Sequence, residues 1–203
     1  MSKEVNILGA GGHAKVVIEI AEELGYKIEQ VYDQNIDVTT ILDYAVSHNS
    51  DSLSGKENIF YALGSNYNRK SNSLKYKSAN FNLIHPSAII SRSVAFGMGN
   101  VVMAGVIINS SVQIGNHCVI NTSACIDHDC EIEDFVHISP NAALAGNVKV
   151  LEGAHVGIGA SVKQNVTIGK WSIVGAGAVV VNDVPDNVVV VGNPAKIIKN
   201  ISK

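Results

Sequence analysis

The sequence predicts an α/β N-terminal domain followed by a parallel β-helix, and two observations lead to this prediction. Large aliphatic or aromatic residues recur at every sixth position from Ile84 to Val180. Before Ile84, the chain instead shows the strand, glycine-rich turn, helix and strand order of a nucleotide-binding unit. The change of pattern sets the boundaries: we predict an α/β domain over residues 1–83 and a β-helix with a C-terminal tail over residues 84–203.

The six-residue period excludes an amphipathic helix, whose apolar residues recur at intervals of three and four. A second series, four places after the first, is small or apolar except at Asn100 and Ser172. Six residues form one short strand and a corner, so three units would close a triangular coil. The coils would stack roughly 4.8 Å apart, as neighbouring strands do. In this register Cys118 and Cys130 point inward, whereas Cys125 is predicted at a corner.

The N-terminal domain begins with the apolar strand Val5–Leu8 and the turn Gly9–His13, followed by a helical pattern that stops at Gly25. A second strand, about Ile28–Tyr32, ends at Asp33. Glycines let a backbone approach a phosphate, and a helix N-terminus supplies N–H donors. The turn departs from the usual motif, because Gly12, His13 and Ala14 follow Gly11. The layout is that of a Rossmann-like nucleotide-binding unit.

The other segments are predicted from shorter patterns. Ile59–Leu63 is a third strand, and Asn68–Ser78 is a helix with a polar face. Residues 34–57 are polar and give no clear element. Val188–Val191 can form one more strand, and the chain after Gly192 is predicted to form a short helix or a tail.

Composition narrows the classes of function. A formal net charge of -3 and a pI near 6.1 give no basic surface for nucleic acid. No secretory segment is apparent, and the first apolar stretch is too short to span a membrane. We therefore expect a cytoplasmic protein with reduced cysteines, no membrane partner and no bound metal.

The candidate for acid–base chemistry is His128, in the sequence Ile126-Asp127-His128-Asp129-Cys130. Histidine is the natural general base at neutral pH, and a neighbouring carboxylate, Asp129 or Asp127, can orient its ring. A solvated corner with no catalytic role is the competing interpretation. His137 follows nine residues later, at the last position of its unit, where the repeat predicts an outward corner residue. His117 and His155 are predicted to be solvated corner residues. His85 is expected to fix the turn at the domain junction.

Several short motifs occur in one order along the chain. Taken together, they resemble the bacterial sugar acetyltransferases of the PglD/NeuD group, and the resemblance extends over essentially the whole chain. Members of that group join a small Rossmann-like domain to a left-handed β-helix. The motifs are Gly9-Ala10-Gly11-Gly12-His13, Asp33, Gly64-Ser65-Asn66, His85-Pro86-Ser87-Ala88, Asn121-Thr122-Ser123, His128-Asp129-Cys130, His137-Ile138-Ser139, Gly146-Asn147-Val148 and Gly192-Asn193-Pro194-Ala195.

The resemblance implies an enzyme that moves an acetyl group from acetyl-CoA to the 4-amino group of a nucleotide-linked amino sugar, with UDP as the expected nucleotide. His128 would accept the proton and Asp129 would raise its basicity. The enzyme would be a homotrimer with active sites between neighbouring β-helices. The residues implied for acetyl-CoA are His137, Gly146, Ile158 and Ala176.

The same resemblance assigns substrate contacts to the N-terminal domain. Gln34 stands where some relatives have a second aspartate, so its contact with the base or ribose is open. Ala176 likewise occupies a position that is often glycine. The residues implied for the nucleotide sugar are Gly11, Gly12 and His13 at the phosphates, and Asp33, Gln34 and Gly64 around the uridine.

Three other functions remain open on the sequence. A sialic acid O-acetyltransferase would need a cation for the carboxylate, and Arg69 or Arg92 could supply it in space. A γ-class carbonic anhydrase would need three converging histidines, such as His117, His128 and His137. A non-catalytic β-helix scaffold would keep every property when His128 is replaced.

Overall fold

The computed structural model describes residues 3–201, which form an α/β domain followed by a left-handed parallel β-helix, or solenoid. The predicted fold class is confirmed. The two parts share an extensive apolar contact, which determines where the candidate site residues lie.

The N-terminal domain is a five-stranded sheet of order β3-β4-β2-β1-β5. All neighbouring strands are parallel except β3 and β4, which form an antiparallel hairpin. This hairpin comes from the segment 34–57, whose polar sequence predicted no element. The elements are β1 (Lys3–Leu8), α1 (Gly12–Glu23), β2 (Tyr26–Tyr32), β3 (Thr40–Ile41), β4 (Tyr44–Ser47), a 3₁₀ helix (Ser50–Leu53), β5 (Ile59–Tyr61) and α2 (Asn66–Ser73).

The solenoid has three faces, each a parallel sheet of two-residue strands. Face 1 comprises β6 (Leu83–Ile84), β9 (Val101–Val102), β12 (Val119–Ile120), β15 (His137–Ile138), β18 (His155–Val156) and β21 (Ile173–Val174). Face 2 comprises β7 (Ile89–Ile90), β10 (Ile107–Ile108), β13 (Cys125–Ile126), β16 (Ala143–Leu144), β19 (Ser161–Val162) and β22 (Val179–Val180). Face 3 comprises β8 (Ala95–Phe96), β11 (Gln113–Ile114), β14 (Glu131–Ile132), β17 (Lys149–Val150) and β20 (Thr167–Ile168).

Each strand pairs with the strand eighteen residues later, as Ile120 pairs with Ile138. The large residue of each unit points inward, and from Val102 to Val180 this series is buried. The two polar exceptions to the small series are also buried and hydrogen-bonded. Asn100 donates to the Gly115 carbonyl and accepts from the Cys118 N–H, while the Ser172 hydroxyl donates to the Pro185 carbonyl. The core therefore satisfies its own polar groups.

The backbone conformation at the corners explains which residue types occur after the strands. From Gly99 to Gly177, every sixth residue has a positive φ, which asparagine, aspartate and glycine tolerate best. Asp129 occupies one of these positions (φ 60°), so its side chain is set by the corner backbone. Cys125, predicted at a corner, instead lies in strand β13.

The end of the solenoid differs from the sequence prediction. Strand β23 (Val188–Val191) adds to face 1, as expected. The chain after Gly192 is neither a helix nor a free tail: β24 (Lys196–Asn200) pairs antiparallel with β23. The open edge of face 1 explains this pairing, because its unpaired backbone groups accept another strand.

The N-terminal domain packs on the first coils of face 1. Val101, Met103 and Val119 belong to the same buried cluster as residues of β1 and α1. His85 helps to fix this junction, as predicted: its Nδ1 accepts from the Ser87 N–H, and its Nε2 lies 3.1 Å from a carboxylate oxygen of Glu23 in α1. No helix in residues 3–201 is long and apolar enough to cross a membrane.

Candidate active site

His128 lies in the corner between faces 2 and 3, and its side chain is 60% exposed. Its Nδ1 lies 2.8 Å from Asp129 Oδ2, so the ring donates Nδ1–H to that carboxylate. Asp127 is held separately, because its Oδ1 accepts from the Asn109 amide and from the His128 N–H. Of the two predicted carboxylates, Asp129 is therefore the one that orients the ring.

This arrangement leaves His128 Nε2 as the basic atom. The hydrogen bond that Asp129 accepts and the charge of Asp127 raise the pKa of His128 above its ordinary value. The ring lies against Gly146, which occupies the equivalent corner of the next coil. A Cβ on Gly146 would come within 2.6 Å of the ring. Gly146 N–H has no acceptor within the described part of the chain, so it can serve as a donor beside the histidine.

The glycine-rich turn lies at the carboxyl end of β1, where α/β sheets bind ligands. Gly9 is required by the fold, because it has a φ of 119° and a Cβ there would lie 2.5 Å from the Ala62 carbonyl oxygen. Gly11, Gly12 and Gly64 are different: they have ordinary φ values, and a Cβ on any of them would meet nothing within 4 Å. The open space at these three residues is available to a ligand. Helix α1 also begins without a side-chain cap, which leaves N–H donors free for an anion.

Asp33 organises this turn. Its Oδ2 accepts from the Ala10 N–H at 2.7 Å, and its Oδ1 accepts from the Asn35 N–H at 2.9 Å. Asp33 and Gln34 line a cavity of about 220 Å³ between the sheet and α2. Gly64 lies outside this cavity, in a second and more apolar one of about 760 Å³. Sequence reasoning missed the other polar residues that line the first cavity, which are His48, Asn68, Ser71, Asn72 and Lys75.

His137 is a buried strand residue rather than the outward corner residue that the repeat suggested. It is 8% exposed and stacks on His155 at a centroid distance of 4.6 Å. Burial lowers the pKa of His137 to about 2, so the ring is neutral. The Asn121 amide oxygen accepts from the Thr122 N–H, so its NH₂ faces His137 Nε2 at 3.1 Å. The proton of His137 is thus assigned to Nδ1, which is buried and has no hydrogen-bond partner among the described residues.

His13 points at the same cluster. Its ring lies 6.4 Å from that of His137, and its Nε2 is buried without a hydrogen-bond partner. Burial and the charge of Arg69 lower the pKa of His13 to about 4. A neutral ring turned toward the solenoid can hydrogen-bond a phosphate oxygen but cannot neutralise its charge.

The prediction that His117 and His155 are solvated corner residues is wrong. His117 is 7% exposed and stacks on Phe135 with an interplanar angle of 13°. His155 lies in strand β18, where its Nε2 is 2.7 Å from the Ser139 hydroxyl. Both histidines are covered because the N-terminal domain packs against this side of the solenoid. No signal in the six-residue pattern distinguishes a covered face from an exposed one.

The predicted acetyl-CoA residues occupy different corners. Ile158 and Ala176 stack in adjacent coils at the corner between faces 1 and 2, where the Gly177 N–H donates to the Ile158 carbonyl. Both residues are exposed. Gly146 lies with His128 at the corner between faces 2 and 3. Within one chain, the width of face 2 therefore separates Ile158 and Ala176 from His128 and Gly146. The glycine-rich turn lies over face 1.

Arg69 is also not near His128. It is 1% exposed and lies between α2 and the corner that joins faces 3 and 1. Among the side chains that the structure describes, no three His, Cys, Asp or Glu residues are grouped so that they could hold a metal ion.

Comparison with known proteins places this geometry in a family. Residues 4–75 match the family model described as the PglD N-terminal domain. A search of curated proteins gave no match.

Solved structures match over nearly the whole chain. PerB from Caulobacter crescentus, in complex with CoA and GDP-perosamine, is 43% identical, with 97% of each chain covered and a TM-score of 0.91. The acetyltransferase domain of PglB from Neisseria gonorrhoeae, in complex with acetyl coenzyme A, is 35% identical, covers 98% of this chain and 100% of its own, and has a TM-score of 0.87. WeeI from Acinetobacter baumannii is 28% identical, with coverages of 97% and 100% and a TM-score of 0.86. The chain belongs to the PglD-like family of sugar N-acetyltransferases.

Proposed function

We propose that this enzyme transfers the acetyl group of acetyl-CoA to the 4-amino group of a nucleotide-linked deoxy sugar, with His128 as the general base. The observation that supports this most directly is the exposed His128–Asp129 pair, whose free Nε2 is adjacent to the unused N–H of Gly146. The 43% identity with PerB, over 97% of both chains, supports a nucleotide-linked amino sugar as the acceptor.

The proposed reaction needs a base, an oxyanion donor and alignment, because a thioester is already activated. The amine nitrogen attacks the thioester carbonyl while His128 Nε2 takes its proton, and Asp129 stabilises the imidazolium that forms. Gly146 N–H donates to the developing oxyanion. Addition of the amine forms the C–N bond and the oxyanion. Collapse of the oxyanion breaks the C–S bond, and the CoA thiolate takes up the proton that His128 had accepted.

We propose that the site is completed by a second copy of the chain in a homotrimer. In one chain, His128 and Gly146 lie at the corner between faces 2 and 3, whereas the glycine-rich turn lies over face 1. Ile158 and Ala176, at the corner between faces 1 and 2, would bind acetyl-CoA against the His128 corner of a neighbour. His137 would contact acetyl-CoA only through the small part of its side chain that is exposed.

The nucleotide is proposed to bind in the cavity lined by Asp33 and Gln34, with its phosphates at Gly11, Gly12 and His13. Gly64, in the adjoining cavity, would face the sugar end. UDP was the expectation from the sequence. The bound GDP-perosamine of PerB, the relative with the higher identity among those described, favours a GDP-linked sugar as the first substrate to test.

The direct test measures acetyl-CoA consumption with GDP-, UDP- and dTDP-linked 4-amino-4,6-dideoxy sugars and with sialic acids. We expect turnover with at least one nucleotide-linked amino sugar and a loss of about a hundredfold or more in His128→Ala. Turnover of sialic acids alone would replace the proposal with O-acetylation. Turnover by His128→Ala at the wild-type rate would remove this residue from the role of base.

Subunit complementation tests the shared site. His128→Ala and Gly12→Asp variants are each expected to be inactive, the second because a carboxylate would repel the phosphates. If active sites combine two chains, mixed trimers will contain some sites with neither change, and co-expression will restore activity. No restoration in verified mixed trimers would place the whole site in one chain.

A sialic acid O-acetyltransferase would need a cation for the substrate carboxylate, and Arg69 is not available for that role. All three guanidinium nitrogens of Arg69 are bound to carbonyl or amide oxygens, so it offers no donor to a substrate carboxylate. Arg92 is exposed, two coils before His128 at the same corner.

A further inference from the structure

Three carbonyl groups in successive coils point out of the solenoid at the corner between faces 3 and 1. They belong to His117, Phe135 and Gly153, which are eighteen residues apart. The backbone bonds that join the coils use the preceding residues instead: the Phe135 N–H donates to the Asn116 carbonyl. The three carbonyls are therefore free of the solenoid's own backbone ladder.

Two side chains of α2 bind all three carbonyls. Arg69 Nε donates to the His117 carbonyl at 2.9 Å, and Arg69 Nη2 donates to the Phe135 carbonyl at 2.9 Å. Asn66 Nδ2 donates to the Gly153 carbonyl at 3.0 Å. The two side chains are also joined, because Arg69 Nη2 donates to Asn66 Oδ1 at 3.0 Å. The result is one hydrogen-bonded unit across three coils.

Arg69 also holds the loop that precedes its own helix. Its Nη1 donates to the Leu63 carbonyl at 2.9 Å and to the Gly64 carbonyl at 3.3 Å. The same guanidinium therefore binds the solenoid and the loop at the end of β5. Gly64 lies in that loop, beside the His137 ring.

Burying the Arg69 guanidinium costs free energy, which its hydrogen bonds must offset. It is 1% exposed, and none of the carboxylates whose side chains the structure describes forms an ion pair with it. A buried cation without a counter-ion is expensive, and an apolar side chain would avoid that cost. An apolar side chain would, however, leave the outward carbonyls without donors and the loop without an attachment.

We infer that Arg69 is a positioning residue, which with Asn66 fixes the N-terminal domain on the solenoid and so fixes where the nucleotide sugar meets the catalytic corner. The inference rests on the proposed function, since it assumes a substrate held by the N-terminal loops. The base lies on a different corner from those loops, so the angle between domain and solenoid determines the distance from sugar amine to His128. A misplacement of about 1 Å can cost a hundredfold in rate.

The test compares Arg69→Met, Arg69→Lys and Asn66→Ala with the surface control Lys77→Met. Lys77 forms only an exposed ion pair with Glu57, so its loss should change nothing measurable. We expect Arg69→Met to lower kcat/KM for the nucleotide sugar by about 10- to 100-fold, with the KM for acetyl-CoA unchanged. Arg69→Lys should restore little, because an ammonium cannot reach carbonyls on three sides. Folded Arg69→Met with wild-type kinetics would overturn the inference.

Chemical rescue separates positioning from general loss of stability. Arg69→Ala leaves a guanidinium-sized space, and tens of millimolar guanidinium chloride should raise its kcat/KM relative to the same concentration of sodium chloride. Absence of rescue in the folded variant counts against the inference. If Arg69 variants do not fold, Asn66→Ala must show the same selective loss for the nucleotide sugar, or the inference fails.

Hydrogen exchange gives a readout independent of activity. In Asn66→Ala and Arg69→Met, amides of residues 63–69 should exchange faster, while those of β2 and of the His128 corner keep wild-type rates. Faster exchange in an enzyme that acetylates no sugar would leave the attachment valid and refute the proposed function. Unchanged exchange would refute the attachment itself.

Discussion

The imidazole of His128 lies directly against the α-carbon of Gly146, eighteen residues later in the next coil. A Cβ built on Gly146 would come within 2.6 Å of Cε1 and 2.8 Å of Nε2. Gly146 has an ordinary φ, so only the neighbouring ring demands glycine. The absence of a side chain at Gly146 thus leaves the space that the His128 ring occupies.

Gly146→Ala is expected to displace the His128 ring and lower kcat by about 10- to 100-fold, with little change in melting temperature. Steady-state kinetics and thermal unfolding measure the two effects. The double variant with His128→Ala is the control. If alanine acts through the ring, the double variant will be no slower than His128→Ala alone. Additive losses would show that Gly146 contributes separately, for example through its N–H.

Asp129→Asn is expected to lower the pKa of His128, because the hydrogen bond that His128 donates to Asp129 is the largest cause of the raised pKa. A base works in its deprotonated form, so the acid limb of kcat/KM should move to lower pH while the plateau rate falls. Asparagine accepts the positive φ of this corner, so the fold should persist. NMR titration of His128 gives the pKa directly. Asp127→Asn should shift it less, and an equal or larger shift would reverse the roles of the two carboxylates.

The solenoid could be predicted closely from the sequence because its core is periodic and local. Each inward position is fixed by its place in a six-residue unit, and the structure buries that series from Val102 through Val180. The hairpin of β3 and β4 could not be predicted, because its short strands depend on pairing with β2. Strand β24 likewise depends on the open edge of β23, which no local pattern encodes.

The candidate site could be predicted only in part, and for a related reason. His128 and Asp129 are adjacent in sequence, so their pairing follows from the corner itself. The burial of His137, in contrast, follows from the domain that packs on face 1, and the repeat has the same form on all three faces. Arg69 donates hydrogen bonds to carbonyls of residues up to 67 positions away, and the spacing of residues along the sequence does not predict such contacts.

Stability is expected to fall as pH drops from about 6.5 toward 4, because buried neutral histidines resist protonation. Burial lowers the pKa of His13 and His117 to about 4 and that of His137 to about 2, and it also lowers that of His155. The unfolded chain takes up protons near pH 6.5 and the folded chain does not, so unfolding becomes easier below that pH. His13, His117 and His137 each contribute about 1.4 kcal/mol per pH unit in this window.

Urea unfolding at several pH values and fixed protein concentration measures this slope. Carboxyl groups with lowered pKa values, such as Glu29 and Glu57, act below about pH 4.5, outside most of the window. His117→Gln should reduce the slope by about one proton. A stability that stays constant from pH 7 to pH 5 would contradict the burial of these rings as neutral groups.

Cys130 is expected to be chemically inert although it directly follows His128 and Asp129. Its side chain points inward and donates to the Ala145 carbonyl, and burial raises the pKa of its thiol to about 11. Cys118 is similar, with a pKa raised to about 12, whereas Cys125 is only half-buried. A thiolate is the reactive form, so brief alkylation should modify Cys125 first. Peptide mass spectrometry can locate the label.

The burial of Cys130 predicts that it is not a nucleophile, and this can be measured without an acceptor. Incubation with acetyl-CoA alone should leave the intact mass unchanged, because the proposed reaction passes the acetyl group directly to the amine. Cys130→Ala should lose far less activity than the roughly hundredfold expected for His128→Ala. If an acetyl group is found on Cys130 and is removed when the sugar acceptor is added, the reaction has two steps. His128 would then act as the base for the thiol rather than for the amine.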